Sequence, residues 1–274
     1  MSLIGISGKI GSGKDTVGDI IRLLTRNVKG DGFNTSHWEI NDVIKPNYKS
    51  YNPNADSRIY KFEIRKFADK LKDIVCMLIG CTREQLENRD FKEKELGEEW
   101  VRYSIKSQYG IESIYNTYEE ALKSIRLLNN VSNRVYHKEP YKEYLTPRKI
   151  LQIFGTESGR DLIHPNIWVN ALMNEYKDEH DLSTWGHGEK YPNWIVTDMR
   201  FPNEMKVIES KGGITIRVNR PIYLQDNKAG ILEPVHESET ALDNSNFDYV
   251  IENNGSIEEL IEKVRKILIE ENIL

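Results

Sequence analysis

A glycine-rich run near the start of the chain has the residue types and spacing of a phosphate-binding loop. Residues 8–14 fit the pattern G-x-x-x-x-G-K, directly after a short apolar strand and directly before an amphipathic helix. Glycines let successive backbone N–H groups turn toward an anion, and the helix N-terminus adds positive potential. Lys14 would reach the β- and γ-phosphates of a nucleoside triphosphate; a purely structural glycine turn is the alternative. The predicted nucleotide-binding residues are Gly8, Lys9, Gly11, Ser12, Gly13, Lys14, Asp15 and Thr16.

Asp15 stands where this kind of loop normally has a Ser or Thr that binds magnesium. A carboxylate can hold Mg²⁺ directly or through water, so Asp15 is a candidate metal ligand. Thr16 could instead hydrogen-bond a phosphate oxygen. The alternative for Asp15 is the favourable placement of an acid in the first turn of a helix.

Two polar residues end a second apolar strand, which the sequence predicts over 194–197 and which ends at Asp198. Asp198 and Arg200 should emerge at the C-terminal edge of a parallel sheet, where ligands bind in open α/β folds. Asp198 is a second candidate magnesium ligand or acceptor contact, and Arg200 could grip a phosphate with two N–H groups. A simple surface pair of Asp198 with Arg200 is the alternative.

Strands and helices alternate at both ends of the chain, which predicts parallel β-α-β units and an α/β fold. Predicted strands lie over 3–7, 62–67, 194–197, 214–218 and 249–252. Predicted helices lie over 17–24, 71–78, 118–128, 146–155, 165–173 and 202–212, with a last one starting at Ser256. Gly155 is predicted to end the fourth of these helices.

The composition excludes several functional classes. The 274 residues carry a net charge of −5, which argues against binding to DNA or RNA through a basic face. No apolar run is long enough to predict a membrane span, and the first residues lack the plan of a signal peptide. Two cysteines are too few for a disulfide framework and favour a reducing cytoplasm.

Several blocks of sequence resemble the bacteriophage-type deoxynucleoside monophosphate kinases. Besides the phosphate loop, with its Asp15 after the lysine, the similar blocks are residues 67–72, 148–160, 197–204, 236–240 and 251–260. The likeness spans nearly the whole chain and is weakest over about 81–145.

The resemblance implies a P-loop kinase fold, with a parallel sheet flanked by helices, in a single domain. Its core would be about 1–80 and 190–274, with a helical acceptor-binding insertion at about 81–180 and a lid at about 221–246. It further implies transfer of a phosphoryl group from ATP, with Mg²⁺, to a deoxynucleoside monophosphate. A phage protein in the bacterial cytoplasm, forming a homodimer, is also implied.

The resemblance assigns site residues, each of which has a simpler interpretation. Those expected around the acceptor nucleotide are Asp69, Lys72, Arg148, Gly155, Thr156, Arg160, Trp168, Asp198, Arg200, Glu204 and His236. Those expected to catalyse the transfer are Lys14, Asp198, Arg200 and Arg220, the last being preferred to Arg217 because Arg217 lies inside a strand. Trp168 could instead be a core residue, Arg160 a surface charge, and His236 a residue that only holds the lid. Asp69 and Lys72 could simply cap and solvate their helix.

The residues alone leave two other functions open: a kinase for another phosphorylated acceptor, and a nucleotide-dependent switch or binding module. Phosphomevalonate kinases of the animal type share the Gly-Lys-Asp loop and the Asp-x-Arg strand end, and dephospho-coenzyme A kinases share the broad architecture. A nucleotide-dependent switch or binding module would also use a phosphate loop. The chain lacks the Asn-Lys-x-Asp motif for guanine, which argues against the switch.

Overall fold

The computed structural model describes residues 2–26, 60–107, 110–131, 136–177, 191–221 and 239–274. In this part of the chain the strands are β1 (Leu3–Ser7), β2 (Glu63–Arg65), β3 (Val101–Ser107), β4 (Gly110–Tyr115), β5 (Tyr141–Tyr144), β6 (Trp194–Met199), β7 (Ile214–Asn219) and β8 (Tyr249–Glu252). The α-helices are α1 (Lys14–Leu24), α2 (Asp69–Ile79), α3 (Arg83–Glu87), α4 (Arg89–Glu93), α5 (Tyr118–Val131), α6 (Pro147–Gln152), α7 (Ile167–Met173), α8 (Pro202–Ser210) and α9 (Ile257–Glu270). A 3-10 helix (Glu98–Trp100) and a π-helix (Ile153–Ile163) complete the described elements.

The main sheet has five strands in the order β2-β6-β1-β7-β8, and all four pairings are parallel. The carboxyl ends of its strands therefore lie along one edge, where open α/β sheets bind ligands. The phosphate loop after β1, Arg200 after β6 and Lys66 after β2 all follow strands that end there. The predicted α/β class with a parallel sheet and flanking helices is confirmed.

The chain divides into two compact units, Met1–Asp69 with Trp168–Leu274, and Lys70–Ile167. The borders expected for the insertion, about 81 and 180, do not coincide with these limits. The border near 180 shifts because Val169 and Leu172 of α7 share a buried apolar cluster with Leu3 and Val196 of the main sheet. Most of the segment expected to form the lid, residues 222–238, lies outside the described residues.

Both faces of the main sheet are covered, as parallel sheets require. Ile4 and Ile6 of β1 pack in one cluster with apolar residues of α1 and α9, among them Val17, Ile20 and Val264. Leu3, whose side chain points to the opposite face, belongs to a second cluster that includes residues of α7 and α8. The strand that precedes the phosphate loop is thus fixed from both sides.

The second unit contains a three-stranded antiparallel sheet in the order β4-β3-β5, which the expectation of a helical insertion did not include. Ile105 of β3 packs with Ala121 and Ile125 of α5. Across β3 and β5, Arg102 pairs with Glu143 at 2.6 Å. Such cross-strand contacts stabilise a sheet but join residues far apart in sequence, so the charged sequence alone favoured helix.

The prediction that a helix ends at Gly155 is wrong. After α6, which begins at the N-cap Thr146, the chain continues as the π-helix, and Gly155 is buried within it. A Cβ atom at Gly155 would lie 3.0 Å from Cδ2 of Leu71. This glycine therefore permits a close approach of α2 and does not terminate a helix. No helix in the described ranges is long and apolar enough to cross a membrane.

The interior strand β6, which pairs with β1 and β2, should carry much of the stability of the first unit. Ile195 is fully buried, so Ile195→Ala should lower the free energy of unfolding by about 2–5 kcal/mol through lost burial and a residual cavity. Urea unfolding measures this loss. The same change at Ile269, which is 56% exposed on α9, should alter stability by less than about 0.5 kcal/mol. Equal losses at the two positions would contradict the packing described.

Candidate functional site

The phosphate loop needs glycine at particular positions. Gly11 and Gly13 have φ angles of 76° and 93°, in the left-handed region that favours glycine. A Cβ atom at Gly8 would lie 2.3 Å from the Ser12 Oγ and 2.7 Å from the carbonyl oxygen of Val218. The loop leads directly into α1 at Lys14, so its N–H groups and the helix N-terminus can act on the same anion.

Asn253, which follows the edge strand β8, stabilises this loop by a direct hydrogen bond. Its Nδ2 donates a hydrogen bond of 2.8 Å to the carbonyl oxygen of Ser12. A Cβ atom at Gly13 would lie only 2.5 Å from that nitrogen, so the close contact itself requires glycine. In the sequence, Asn253 stood out only as part of the similar block at residues 251–260. Its position at the end of a strand of the main sheet was the signal that could have identified it.

Lys14 is a buried cation with a displaced pKa. Its residue is 9% exposed, and burial lowers its pKa, with a further lowering from Arg200, while Asp15, Glu239 and Asp198 act in the opposite direction. Within the described ranges, the Lys14 ammonium forms no hydrogen bond or ion pair. The buried Ser12 Oγ also has no hydrogen-bond partner there. A phosphate group would supply the charge and the acceptor atoms that these two groups lack.

Asp15 lies beside a second lysine that the sequence analysis did not single out. Its Oδ1 is 2.8 Å from Nζ of Lys66 and accepts a hydrogen bond of 3.0 Å from Thr197 Oγ1. Burial raises the pKa of Asp15, but Lys66, Lys14 and Thr197 outweigh it and hold the pKa below 3.8. Its Oδ2 has no protein donor among the described residues, which fits a metal ligand.

Asp198 and Asp69 organise the turn that presents Lys66. The two carboxylate oxygens of Asp198 accept hydrogen bonds from the backbone N–H groups of Phe67 and Ala68, at 2.8 and 3.0 Å. Asp69 accepts one from the N–H of Lys66, at 3.0 Å. In this geometry, Asp198 and Asp69 both stabilise the turn that carries Lys66. Direct binding of Mg²⁺ by Asp198 would compete with its two hydrogen bonds and stays a prediction.

Arg200 and Glu204 lie together where β6 leads into α8. Glu204 is 2% exposed, and its Oε2 accepts hydrogen bonds from the N–H groups of Arg200 and Phe201, at 2.7 and 3.1 Å. This carboxylate caps the N-terminal end of α8. The guanidinium of Arg200 pairs with the carboxylate of Glu239. The expected contact of Glu204 with a deoxynucleotide stays a prediction.

The arginines near the expected lid have different surroundings. Arg217 donates hydrogen bonds to Ser7 Oγ at 3.1 Å and to Asp243 at 2.7 Å, so it supports the start of the phosphate loop. Asp243 also pairs with Lys9 of the loop, at 3.0 Å. Arg220 follows β7 at the ligand-binding edge. His236 lies outside the described residues.

In the second unit, the expected acceptor residue Lys72 belongs to a cluster of charged side chains. Glu87 pairs with Lys72 at 2.6 Å, with Lys92 at 3.4 Å and with Arg83 at 3.5 Å. Burial lowers the pKa of Lys92, although Glu87 opposes this; Lys72 and Arg148 lower it further. Lys92 and Arg83 were not identified from the sequence, because one charged helix residue looks like another until it is placed beside its neighbours.

Arg148, which is also expected around the acceptor nucleotide, pairs with Glu93. Thr156 and Arg160 lie on the π-helix and are each partly buried. π-Helices are rare and occur often at functional sites. Trp168, in the first unit, is 4% exposed, which favours its interpretation as a core residue over stacking on a base. Its role at the acceptor site stays a prediction.

Comparison with known proteins identifies relatives over the whole chain. The family described as deoxynucleotide monophosphate kinase matches residues 2–264. The deoxynucleoside-5'-monophosphate kinase of Escherichia phage T5 is 28% identical over 221 residues, which are 75% of this chain and 71% of the relative. The deoxynucleotide monophosphate kinase of Enterobacteria phage T4 is 26% identical over 281 residues, covering 98% of this chain and 99% of its own. That of Escherichia phage RB69 is 31% identical over 121 residues, 44% of each chain.

The pair of Asp15 with Lys66 should make stability depend on pH. The pKa of Asp15 is depressed in the folded chain, so its contribution is present above 3.8 and is lost as the pH falls through the depressed value. Lys66→Met should therefore lower the free energy of unfolding by about 0.5 kcal/mol at neutral pH and progressively less in acid. Urea unfolding across this pH range measures the difference.

Lys266→Met is the matched control, because Lys266 pairs with Glu270 at 3.9 Å on the exposed side of α9. It should show no comparable dependence on pH. A Lys66→Met effect that stays constant from neutral pH into acid would contradict the assigned partnership with Asp15.

Proposed function

The chain belongs to the deoxynucleotide monophosphate kinase family, and we propose that it transfers the γ-phosphoryl group of ATP to the phosphate of a deoxynucleoside monophosphate. The products are ADP and a deoxynucleoside diphosphate. The observation that carries the proposal is the buried Lys14 ammonium, without an ion pair in the described ranges, inside a loop that needs glycine at positions 8, 11 and 13. Such a site gains most from an anion with several oxygens, as a polyphosphate has.

The acceptor needs no strong base, because its phosphate is already an anion. One acceptor oxygen forms a bond to the γ-phosphorus while the bond from that phosphorus to the bridging oxygen breaks, and ADP leaves with the electron pair. Catalysis then consists of holding the two phosphates in line and neutralising the charge that spreads over the transferring oxygens. Lys14 and the N–H groups of residues 8–16 hold the donor, and Arg200 and Arg220 neutralise charge from the acceptor side.

Asp15 is the residue best suited to hold magnesium, directly or through water, because its Oδ2 has no protein donor in the described chain. When bound there, Mg²⁺ would neutralise charge on the phosphate oxygens. The ammonium of Lys66 would remain the neighbour of Oδ1 and keep the carboxylate ionised. Lys66 thus keeps the Asp15 carboxylate ionised while it contacts only the Oδ1 atom.

Several basic residues of the second unit are expected around the acceptor nucleotide. Lys72 and Arg148 keep that expectation, and Lys92 joins them because it shares the carboxylate of Glu87 with Lys72, at 3.4 and 2.6 Å. Thr156 on the π-helix is assigned to the base or sugar, and Arg160 stays an expected contact of the acceptor nucleotide. Relatives from phages support a role in supplying DNA precursors in bacterial cytoplasm. The expected assembly is a homodimer, which light scattering can test.

An ADP-release assay tests the reaction and its acceptor together. With Mg-ATP, each of the four deoxynucleoside monophosphates is compared with the matching ribonucleotide and with phosphomevalonate. We expect ADP release that requires one or more of the deoxynucleotides. Release that requires phosphomevalonate would overturn the acceptor, and release that ignores every acceptor would overturn the kinase assignment.

Lys14 should be indispensable to the rate. Lys14→Met should lower kcat about 10²- to 10³-fold, equivalent to about 3–4 kcal/mol, because it removes a buried charge aimed at the transferring phosphates. Steady-state ADP release measures the change. Lys206→Met, at an exposed lysine on α8, should leave kcat within about twofold and is the control. Near-normal turnover by Lys14→Met would refute the assignment of the loop.

A further inference from the structure

The carboxylate of Glu239 touches both the phosphate loop and Arg200. Its Oε2 accepts a hydrogen bond of 3.0 Å from the backbone N–H of Ile10, within the loop. Its Oε1 accepts one from the guanidinium of Arg200. The Glu239 side chain is 14% exposed, so these contacts are partly shielded from water. A single carboxylate therefore links the loop that would hold ATP to the arginine that would contact the transferring phosphate.

The segment that carries Glu239, residues 239–244, is itself fixed in the same region. Four residues further on, Asp243 pairs with Lys9 at 3.0 Å and with Arg217 at 2.7 Å. Leu242, between the two acids, is buried in the apolar cluster on one face of the main sheet. The backbone that presents Glu239 is thus anchored by two ion pairs and one buried side chain.

An anchored carboxylate is suited to hold an arginine in place. Arginine has many rotamers, and ordering its guanidinium only when the substrate arrives would cost conformational entropy in the transition state. Hydrogen bonds between charged groups are strong and directional, and partial burial strengthens them further. A guanidinium already held at the loop avoids that cost.

We propose that Glu239 is a positioning residue for phosphoryl transfer, which holds the guanidinium of Arg200 against the phosphate loop. Glu239 acts through Arg200 and does not itself contact the substrate. The inference rests on the proposed function, in which Arg200 neutralises charge on the transferring group. It predicts that the loss of Glu239 lowers the rate of the chemical step more than the affinity for either nucleotide.

A different role for the same carboxylate makes the opposite prediction. If Glu239 merely occupied the place of a phosphate oxygen and left when nucleotide bound, its removal would tighten binding. The anchoring of residues 239–244 favours positioning, because a carboxylate that must leave would not be expected on a segment fixed at Leu242 and Asp243.

The test is a double-mutant cycle on kcat and KM. Glu239→Gln keeps the shape of the side chain and removes its charge, so we expect kcat to fall about tenfold while the KM values for ATP and the deoxynucleotide change by less than about twofold. In an Arg200→Ala background the same substitution should change kcat by less than about twofold, because no guanidinium remains to be positioned. A purely structural role of Glu239 would not produce this dependence on Arg200.

Two further variants serve as a control and as a substitute for Glu239→Gln. Glu262→Gln, at a side chain that is 71% exposed and pairs with Arg265 on α9, should leave kcat unchanged. Should Glu239→Gln fail to fold in thermal melts, Glu239→Asp provides the same cycle, because it keeps the charge and loses the reach to Arg200.

Three outcomes would overturn positioning by Glu239. These are an equal loss of kcat in both backgrounds, a lower KM with unchanged kcat, and a loss explained by a lower melting temperature alone. Failure of the proposed function looks different. The wild-type chain would then show no deoxynucleotide-dependent ADP release, or Arg200→Ala would retain full kcat, and the positioning role would fall with it.

Discussion

The burial of the Lys14 ammonium is the constraint on which the rest of the site depends. Burial lowers the pKa of this lysine, and the described chain supplies no ion pair to compensate. Lys14 stays buried although burial disfavours its charged form, because the loop is held between the fully buried strand β1 and the start of α1. The loop backbone is also fixed by the close contacts at Gly8 and Gly13 and by the hydrogen bond from Asn253. Its N–H groups can therefore converge on an anion.

Around this buried charge, carboxylates hold the other cations in place. Asp15 pairs with Lys66, Glu239 with Arg200, and Asp243 with Lys9 and Arg217. Asp198 and Asp69 use hydrogen bonds to the backbone to fix the turn before α2. Each acid limits the orientation of a basic group before any substrate binds, which is the form of preorganisation that phosphoryl transfer needs.

The sequence predicted the main sheet and the loop because both depend on local signals. The apolar run at 3–7, the glycine spacing after it and the strand before Asp198 are each contained in a few neighbouring residues. The antiparallel sheet of the second unit, the bracing by Asn253 and the pairing of Glu239 with Ile10 were not predicted. The residues that form these contacts lie up to 241 positions apart, and no local period records them. Gly155 was misread for the same reason, since its neighbour Leu71 lies in another helix.

In the proposed reaction, the phosphate loop delivers the γ-phosphoryl group of ATP to a deoxynucleoside monophosphate. Following a radiolabel in the γ-phosphate of ATP tests this most directly, with the labelled products separated by chromatography. We expect the label to appear in the deoxynucleoside diphosphate with the wild-type chain and to be almost absent from it with Lys14→Met. Label released as inorganic phosphate at the same rate with and without acceptor would contradict it.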